Sequence, residues 1–325
     1  MLKHIGRRLL LFIPMLFFVS IVSFVVMQLP PGNVFTNRLA AMHMEGQAAK
    51  ELADQLAKAY GLDKPIVVQY FLWVGNIFKG NLGFSFMYTR PVSELIGERL
   101  ALTTIISVLT MVFTWLISFP IAFYASRHQY SVGDYLASTV GFLGLAIPNF
   151  LLALVLMYLA YVLFGADVTG LVSTKYQTSP WNLPKILDMV KRLWLPLVVI
   201  GMAGTAGLIR ILRGCLLDEL NRPYVITARA KGMQERRLLW KYPVRAAVNP
   251  LISTIGWALP AIISGEAIVS IVLGYQTIGP LFLNALMNKD MFLGGAILLI
   301  LSFLTIVGTL ISDILLVVLD PRLRS

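Results

Sequence analysis

The chain is short of both charge and cysteine. Of its 325 residues, 13% are charged and 58% are hydrophobic, whereas soluble domains have about 25% charged and about 45–50% apolar residues. The apolar residues collect in runs of about 20, long enough to cross a bilayer, which excludes an ordinary soluble domain. The single cysteine, Cys215, excludes an intrachain disulfide framework and a thiolate zinc site.

Motifs for catalysis and nucleotide binding are absent from the sequence. It contains no G-x-x-x-x-G-K-[ST] phosphate loop, so we expect no nucleotide bound in that way. His4, His43 and His128 have no carboxylate or thiol at ligand spacing, which argues against a metal site. We therefore expect no catalytic residue, no enzyme activity and no cofactor in this chain, but a conduit or scaffold whose energy comes from another protein.

Six segments are apolar enough to be membrane helices. The sequence predicts an all-α integral membrane protein with spans at roughly Leu9–Leu29, Leu100–Ala125, Tyr135–Phe164, Trp194–Leu212, Leu251–Leu273 and Met291–Leu319. Basic residues precede the first span as in a signal peptide. No small-residue cleavage site follows it, however, so we expect a retained helix.

Positive charge is concentrated in one of the two large loops. Segment 210–246 has nine Lys or Arg against three Asp or Glu, whereas segment 30–99 has seven against six. The positive-inside rule places 210–246 in the cytoplasm, and six spans then place both termini there. Topology thus accounts for much of the net charge of +11, and we expect no nucleic-acid partner.

Segment 30–99, predicted to lie outside, is too long to be a simple connection. It contains an amphipathic stretch, Glu45–Tyr60, which Gly61 and Pro65 are expected to end. The aromatic residues that follow suit a lid at the outer membrane interface: Tyr70, Phe71, Trp73 and Phe78. A small packed cap that does not touch substrate is the alternative.

A short helix is predicted within the basic loop. Pro223 suits its first turn and Gly232 its end. Small residues between them allow close approach, and basic residues such as Arg229 and Lys231 supply charge, so the helix fits a groove in another protein. An interfacial helix that binds anionic lipid headgroups is the alternative.

Polar and helix-breaking residues within the spans are candidates for a translocation pathway or gate. Glu266 is an ionisable residue in the fifth span, where its cost is on the order of 3 kcal/mol, so it should face protein or a water-filled cavity. Pro148, followed by Asn149, and Pro260 can bend their helices and line a cavity. A structural hydrogen bond for Glu266 and packing kinks at the prolines are the alternatives.

Several motifs follow one another along nearly the whole chain. They are Tyr60–Tyr70, Gly80–Ser85, Arg90-Pro91-Val92, Glu98-Arg99-Leu100, Thr227-Ala228-Arg229-Ala230-Lys231-Gly232 and Leu319–Arg324. In these motifs the sequence resembles the permease subunits of bacterial ABC importers, which are inner membrane components of binding-protein-dependent transport systems. It is most similar to the first, or B-type, permease of the dipeptide and oligopeptide class.

This resemblance implies a type I ABC importer permease fold with six transmembrane helices. Its parts would be residues 1–29, the tail and first helix; 30–99, the periplasmic segment; 100–319, the five-helix core with coupling loop 213–246; and 320–325, the cytoplasmic tail. The coupling helix would dock on an ATPase subunit through Tyr224, Thr227, Ala228, Arg229, Ala230, Lys231, Gly232, Glu235 and Arg237.

The resemblance also implies partners and a place in the cell. The permease would pair with a second, homologous permease and with two cytosolic ABC ATPases, which bind the ATP and Mg. An extracytoplasmic solute-binding protein would deliver the substrate, and the complex would lie among the lipids of the bacterial inner membrane.

Two departures from the family pattern bear on the substrate and the loop. Ile226 stands where the loop usually has an acidic residue, and Gly274–Pro280 replaces a Trp-Pro-Gly-Leu-Gly-like stretch. Peptides are the expected substrate, with oligosaccharides, opines and nickel complexes as alternatives. Two alternatives come from other classes of protein. One is a secondary transporter, which would need a coupling-ion site at discontinuous helices of related halves. The other is a membrane scaffold.

Overall fold

A computed structural model describes residues 2–28, 47, 51, 54–55, 58, 61–177, 179–180 and 182–319. The side chains of residues 2–5, 7–9 and 256–265 lie outside this description. The predicted helix Glu45–Tyr60 falls largely outside the described residues, as does the tail 320–325. The described part is mainly helical.

The helices are α1 (Leu2–Gln28), α2 (Ile66–Phe78), α3 (Val92–Arg127), α4 (Val132–Ala146), α5 (Asn149–Phe164), α6 (Leu183–Leu220), α7 (Pro223–Ala230), α8 (Glu235–Lys241), α9 (Pro243–Leu273), α10 (Ile278–Met287) and α11 (Met291–Leu319). A 3-10 turn covers Thr174–Tyr176. Two short strands, β1 (Phe84–Ser85) and β2 (Arg90–Pro91), pair antiparallel with Ser85 opposite Arg90.

The structure divides into two compact units, of which the first comprises residues 2–103 and 276–306. Its main core brings together apolar residues of α3, α10 and α11, including Leu95, Leu281 and Ile297. A buried carboxylate, Asp290, accepts a hydrogen bond from the Ser85 hydroxyl at 2.6 Å. This bond fixes the strand pair to the turn that precedes α11.

The second unit comprises residues 104–275 and those from 307 onward. Its core joins α3, α6 and α9 through residues such as Ala122, Leu212 and Ala247. Gly201 of α6 lies against the Phe113 ring of α3, where an added Cβ would meet ring carbon Cδ1 at 3.0 Å. Glycine therefore permits the close helix approach at this point.

Among the described residues, four helices are each long and apolar enough to cross a membrane: α1 from Leu10, α3, α6 and α11. Two bent pairs raise the number to as many as six if each pair is one span: α4 with α5, and the end of α9 with α10. Five of the six expected spans lie on the long helices α1, α3, α6, α9 and α11, and the third lies on the bent pair of α4 and α5.

The third expected span needs one correction. Tyr135–Phe164 is not a continuous helix, because α4 and α5 meet at Pro148 with a bend of 104°. Proline has no N–H to donate and disfavours helical torsions in the residue before it. Ile147 accordingly has the extended ψ of 122°. The bend expected at Pro148 is confirmed, and it breaks the helix.

Candidate coupling site

The segment between α6 and α9 forms two short helices with a defined turn. α7 begins at Pro223, as the sequence predicts, and the chain turns at Gly232, whose φ is +76°. The Gly232 N–H donates to the Arg229 carbonyl at 3.0 Å, and the Met233 N–H donates to that of Ala228 at 3.2 Å. These two bonds make a Schellman motif, which gives hydrogen-bond donors to carbonyls that have no partner within the helix.

α7 packs on α8 through a small apolar core. Val225 and Ala228 from α7 are buried with Leu238 and Leu239 from α8, and Phe123 of α3 packs against them. Ala228 is only 8% exposed, so its small size allows α7 to lie close to α8 within this chain. The side chains left outward on α7 include Ile226 and Thr227.

A groove of about 600 Å³ lies beside these helices. Six of the nine residues predicted to contact an ATPase line it: Tyr224, Thr227, Ala228, Lys231, Gly232 and Arg237. Met233, Gln234 and Tyr242 complete the lining, so it holds two cations and no acidic residue. The Tyr224 and Tyr242 rings lie 5.7 Å apart. The groove therefore offers positive charge and aromatic surface to an occupant.

The other predicted contact residues lie outside the lining of the groove. Arg229 forms an ion pair with Glu235, with Nη2 and Oε1 2.9 Å apart and both side chains about half exposed. The hydrogen bonds from Arg229 lower the pKa of the Glu235 carboxyl. This pair ties the end of α7 to the first turn of α8. Ala230 is exposed on α7.

Aromatic contacts that sequence reasoning did not identify connect this segment to α3. The Trp240 ring of α8 lies 6.2 Å from that of Phe119 and 6.4 Å from that of Phe123. Phe119 and Phe123 are four residues apart on α3 and stack on each other. Their i, i+4 spacing was the available signal for a shared face, but the sequence did not indicate Trp240 as the partner.

A buried ion pair lies where α4 begins. Arg213 of α6 donates from Nε and Nη2 to the two Asp134 oxygens, each at 2.7 Å. The Tyr130 N–H also donates to Asp134 at 3.0 Å. The pair holds the turn between α3 and α4 against α6. The sequence did not identify these two residues as partners.

The predicted pathway residues have varied positions. Pro148 and Asn149 lie at the break between α4 and α5. Pro260 lies within α9, but its side chain is outside the described residues. Glu266 is buried in α9 and accepts a hydrogen bond from the Ser270 hydroxyl at 3.4 Å. A pathway or gating role for these four residues stays a prediction.

The long apolar helices define a multi-pass membrane protein. The chain belongs to the family described as the binding-protein-dependent transport system inner membrane component, which matches residues 118–325. The N-terminal family of such membrane components matches residues 1–108. The fold is accordingly that of a type I ABC permease.

Curated relatives match over the full chain. It is 36% identical over 325 residues to the oligopeptide transport system permease protein AppB of Bacillus subtilis (strain 168), with 100% of both chains covered. It is 31% identical to the oligopeptide permease OppB of Haemophilus influenzae and 30% identical to OppB of Escherichia coli K12, again over 100% of each chain.

Proposed function

We propose that this chain is the membrane-spanning permease subunit of an ATP-driven importer and forms half of the translocation pathway for di- or oligopeptides. The peptide substrate is supported by the names of relatives that match over the full length. Oligosaccharides, opines and nickel complexes are the other substrates to test. The five-helix core 100–319 would carry the pathway, with Glu266, Pro148, Asn149 and Pro260 as its candidate residues.

The single observation that carries the coupling role is the preformed α7 with its cationic groove. Lys231 and Arg237 line a groove that has no acidic residue among its lining side chains, so it is complementary to an acidic surface of a partner. α7 and its turn are held by the Schellman motif and the apolar core with α8. The partner can therefore bind without first ordering this segment.

The proposed complex contains this permease, a second homologous permease, two cytosolic ABC ATPases and an extracytoplasmic solute-binding protein. ATP and Mg bind to the ATPases, and this chain contributes no catalytic residue. It lies in the cytoplasmic membrane of a bacterium with both termini and the α7–α8 segment in the cytoplasm. The segment 30–99 then faces the binding protein. Closure of the ATPases would switch the side to which the pathway opens.

The experiment compares two adjacent arginines in the reconstituted complex. Arg237 lines the groove, whereas Arg236 is exposed outside its lining. Arg237→Glu should abolish both substrate-stimulated ATP hydrolysis and peptide uptake, because it reverses charge where the ATPase docks. Arg236→Glu, with the same change in net charge, should retain most of both. Equal behaviour of the two variants would remove the groove from the docking site.

A second experiment addresses the class of transporter. Uptake into proteoliposomes should require ATP on the ATPase side and should persist when ion gradients are collapsed. Uptake driven by an ion gradient without ATP would support the secondary transporter. No uptake of any tested solute by an intact complex that hydrolyses ATP would favour the scaffold.

The role of Glu266 is tested by accessibility. In a Cys215→Ser background, Glu266→Cys should react with a water-soluble thiol reagent in at least one state of the transport cycle if it faces the pathway. Protection in every state would support a structural hydrogen bond with Ser270 instead. Ala267→Cys, one residue further along α9, is the matched control for access at the same depth.

A further inference from the structure

α2 is a short helix with an apolar exposed side. Its 13 residues are too few to span a bilayer. Val67, Phe71 and Phe78 are 65%, 62% and 87% exposed, and their spacing of four and seven residues places them on one side of the helix. A helix that faced water on this side would have polar residues there. The exposed side therefore fits an apolar environment.

The opposite side of α2 packs on α1. Tyr70 and Trp73 are buried, and their rings lie 5.5 and 5.8 Å from that of Phe24. The Tyr70 hydroxyl is hydrogen-bonded to the Ser20 hydroxyl at 2.8 Å. These contacts fix α2 to a defined stretch of α1.

The same contacts give the depth of α2 in the membrane. Phe24 and Ser20 precede Gln28, the last residue of α1, by about 6 and about 12 Å along the helix at about 1.5 Å per residue. Residues Leu10–Gln28 are the apolar stretch that can span the bilayer. α2 therefore crosses α1 about 6 Å inside the end of the span, and interfacial helices bury their apolar sides about 5–10 Å deep.

The polar groups at α2 lie at the end of α1 or flank α2, as expected for a helix near the membrane surface. The Gln69 amide donates to the carbonyls of Leu62 and Lys64 and accepts from the Gln28 amide at 3.0 Å, at the outer end of α1. Lys64 and Lys79 flank α2 and are exposed. Their long side chains can reach headgroup phosphates while the helix lies deeper.

We propose that α2 is an interfacial anchor, embedded in the leaflet around the Gln28 end of α1 with Val67, Phe71 and Phe78 against lipid acyl chains. In the proposed topology this is the outer leaflet. The anchor holds the middle of segment 30–99 in the membrane. It does not depend on the substrate or on the ATPase contact.

The test places single cysteines in the full-length chain with Cys215→Ser, labelled with an environment-sensitive fluorophore and reconstituted in phospholipid vesicles. Phe71→Cys and Val67→Cys report on the exposed side of α2. Val25→Cys is the lipid-facing reference at similar depth, since Val25 is exposed on α1 next to Phe24. Arg236→Cys is the aqueous reference, because Arg236 is exposed on α8, outside the spans. Each label is quenched by spin-labelled lipid and, separately, by iodide.

Labels at positions 71 and 67 should behave like the label at 25, with lipid quenching roughly threefold above that at position 236 and weak quenching by iodide. Strong iodide quenching with weak lipid quenching would overturn the proposal, since the side would then face water. Resistance to both quenchers would also overturn it, because protein would then cover the helix. If one variant fails to insert, the other carries the test, and neither result depends on uptake.

Discussion

The buried ion pair between Asp134 and Arg213 gives a quantitative prediction. The Asp134 side chain is 4% exposed and that of Arg213 is 25% exposed, and their two hydrogen bonds of 2.7 Å are the short, bidentate kind. Arg213→Ala leaves the carboxylate buried beside the Tyr130 N–H, which still donates to it. Removing one partner of a buried pair costs about 3–5 kcal/mol, and the partial exposure of Arg213 favours the lower end.

Two further variants separate the pair from a general loss of charge. Arg90→Ala removes ion pairs with Glu94 and Glu98, in which all three side chains are about half exposed. It should cost much less than Arg213→Ala, because solvent screens exposed pairs. The double variant Asp134→Leu with Arg213→Met removes both charges and should recover most of the loss, since apolar replacement of a buried pair is often neutral.

The assay is unfolding in mixed micelles, followed by tryptophan fluorescence, with circular dichroism as a second probe. Arg213→Ala should lower the free energy of unfolding by about 3 kcal/mol, roughly a hundredfold in the equilibrium constant. The reasoning is refuted if Arg213→Ala costs no more than Arg90→Ala, or if the double variant is as unstable as Arg213→Ala alone.

Two other positions give sharp expectations. Gly232→Ala places a side chain at a φ of +76° with no atom within 4 Å, so backbone strain alone should lower the free energy of unfolding by about 1 kcal/mol. The control is Gly207→Ala, in the middle of α6, where an added Cβ also meets no atom within 4 Å. It should be neutral or slightly stabilising in the same assay. Burial raises the pKa of Asp290, so its contribution to stability is present at low pH and is lost as pH rises through that raised pKa. Asp290→Asn should therefore gain stability relative to the parent as pH rises above about 4, the ordinary pKa of an aspartate, and a pH-independent difference between the two would contradict this.

Local signals in the sequence were sufficient for the short helix of the coupling site. Pro223 and Gly232 act through their own backbone torsions, and α7 starts and stops where they require. The break at Pro148 is local in the same sense, but a proline at this position does not by itself give the angle of 104°. Sequence reasoning therefore predicted the position of the break and not its size.

Contacts between distant residues could not be predicted in the same way. Ala228 is buried because Leu238 and Leu239 of α8 lie against it, and an eight-residue helix is too short for its periodicity to show which side faces inward. Asp134 and Arg213 are far apart in the sequence, and each looks like an ordinary loop charge. Their partnership follows from the packing of α4 on α6, which no local pattern encodes.

The way α7 is held is suited to transmitting a displacement. α8 continues into α9 through Tyr242 and Pro243, and Trp240 rests on the end of α3. The Tyr224 hydroxyl donates to Glu219 of α6. Close-packed contacts of this kind deform little. In the proposed complex, a movement of the ATPase against α7 would therefore shift the ends of α3, α6 and α9 together instead of being absorbed by a flexible loop.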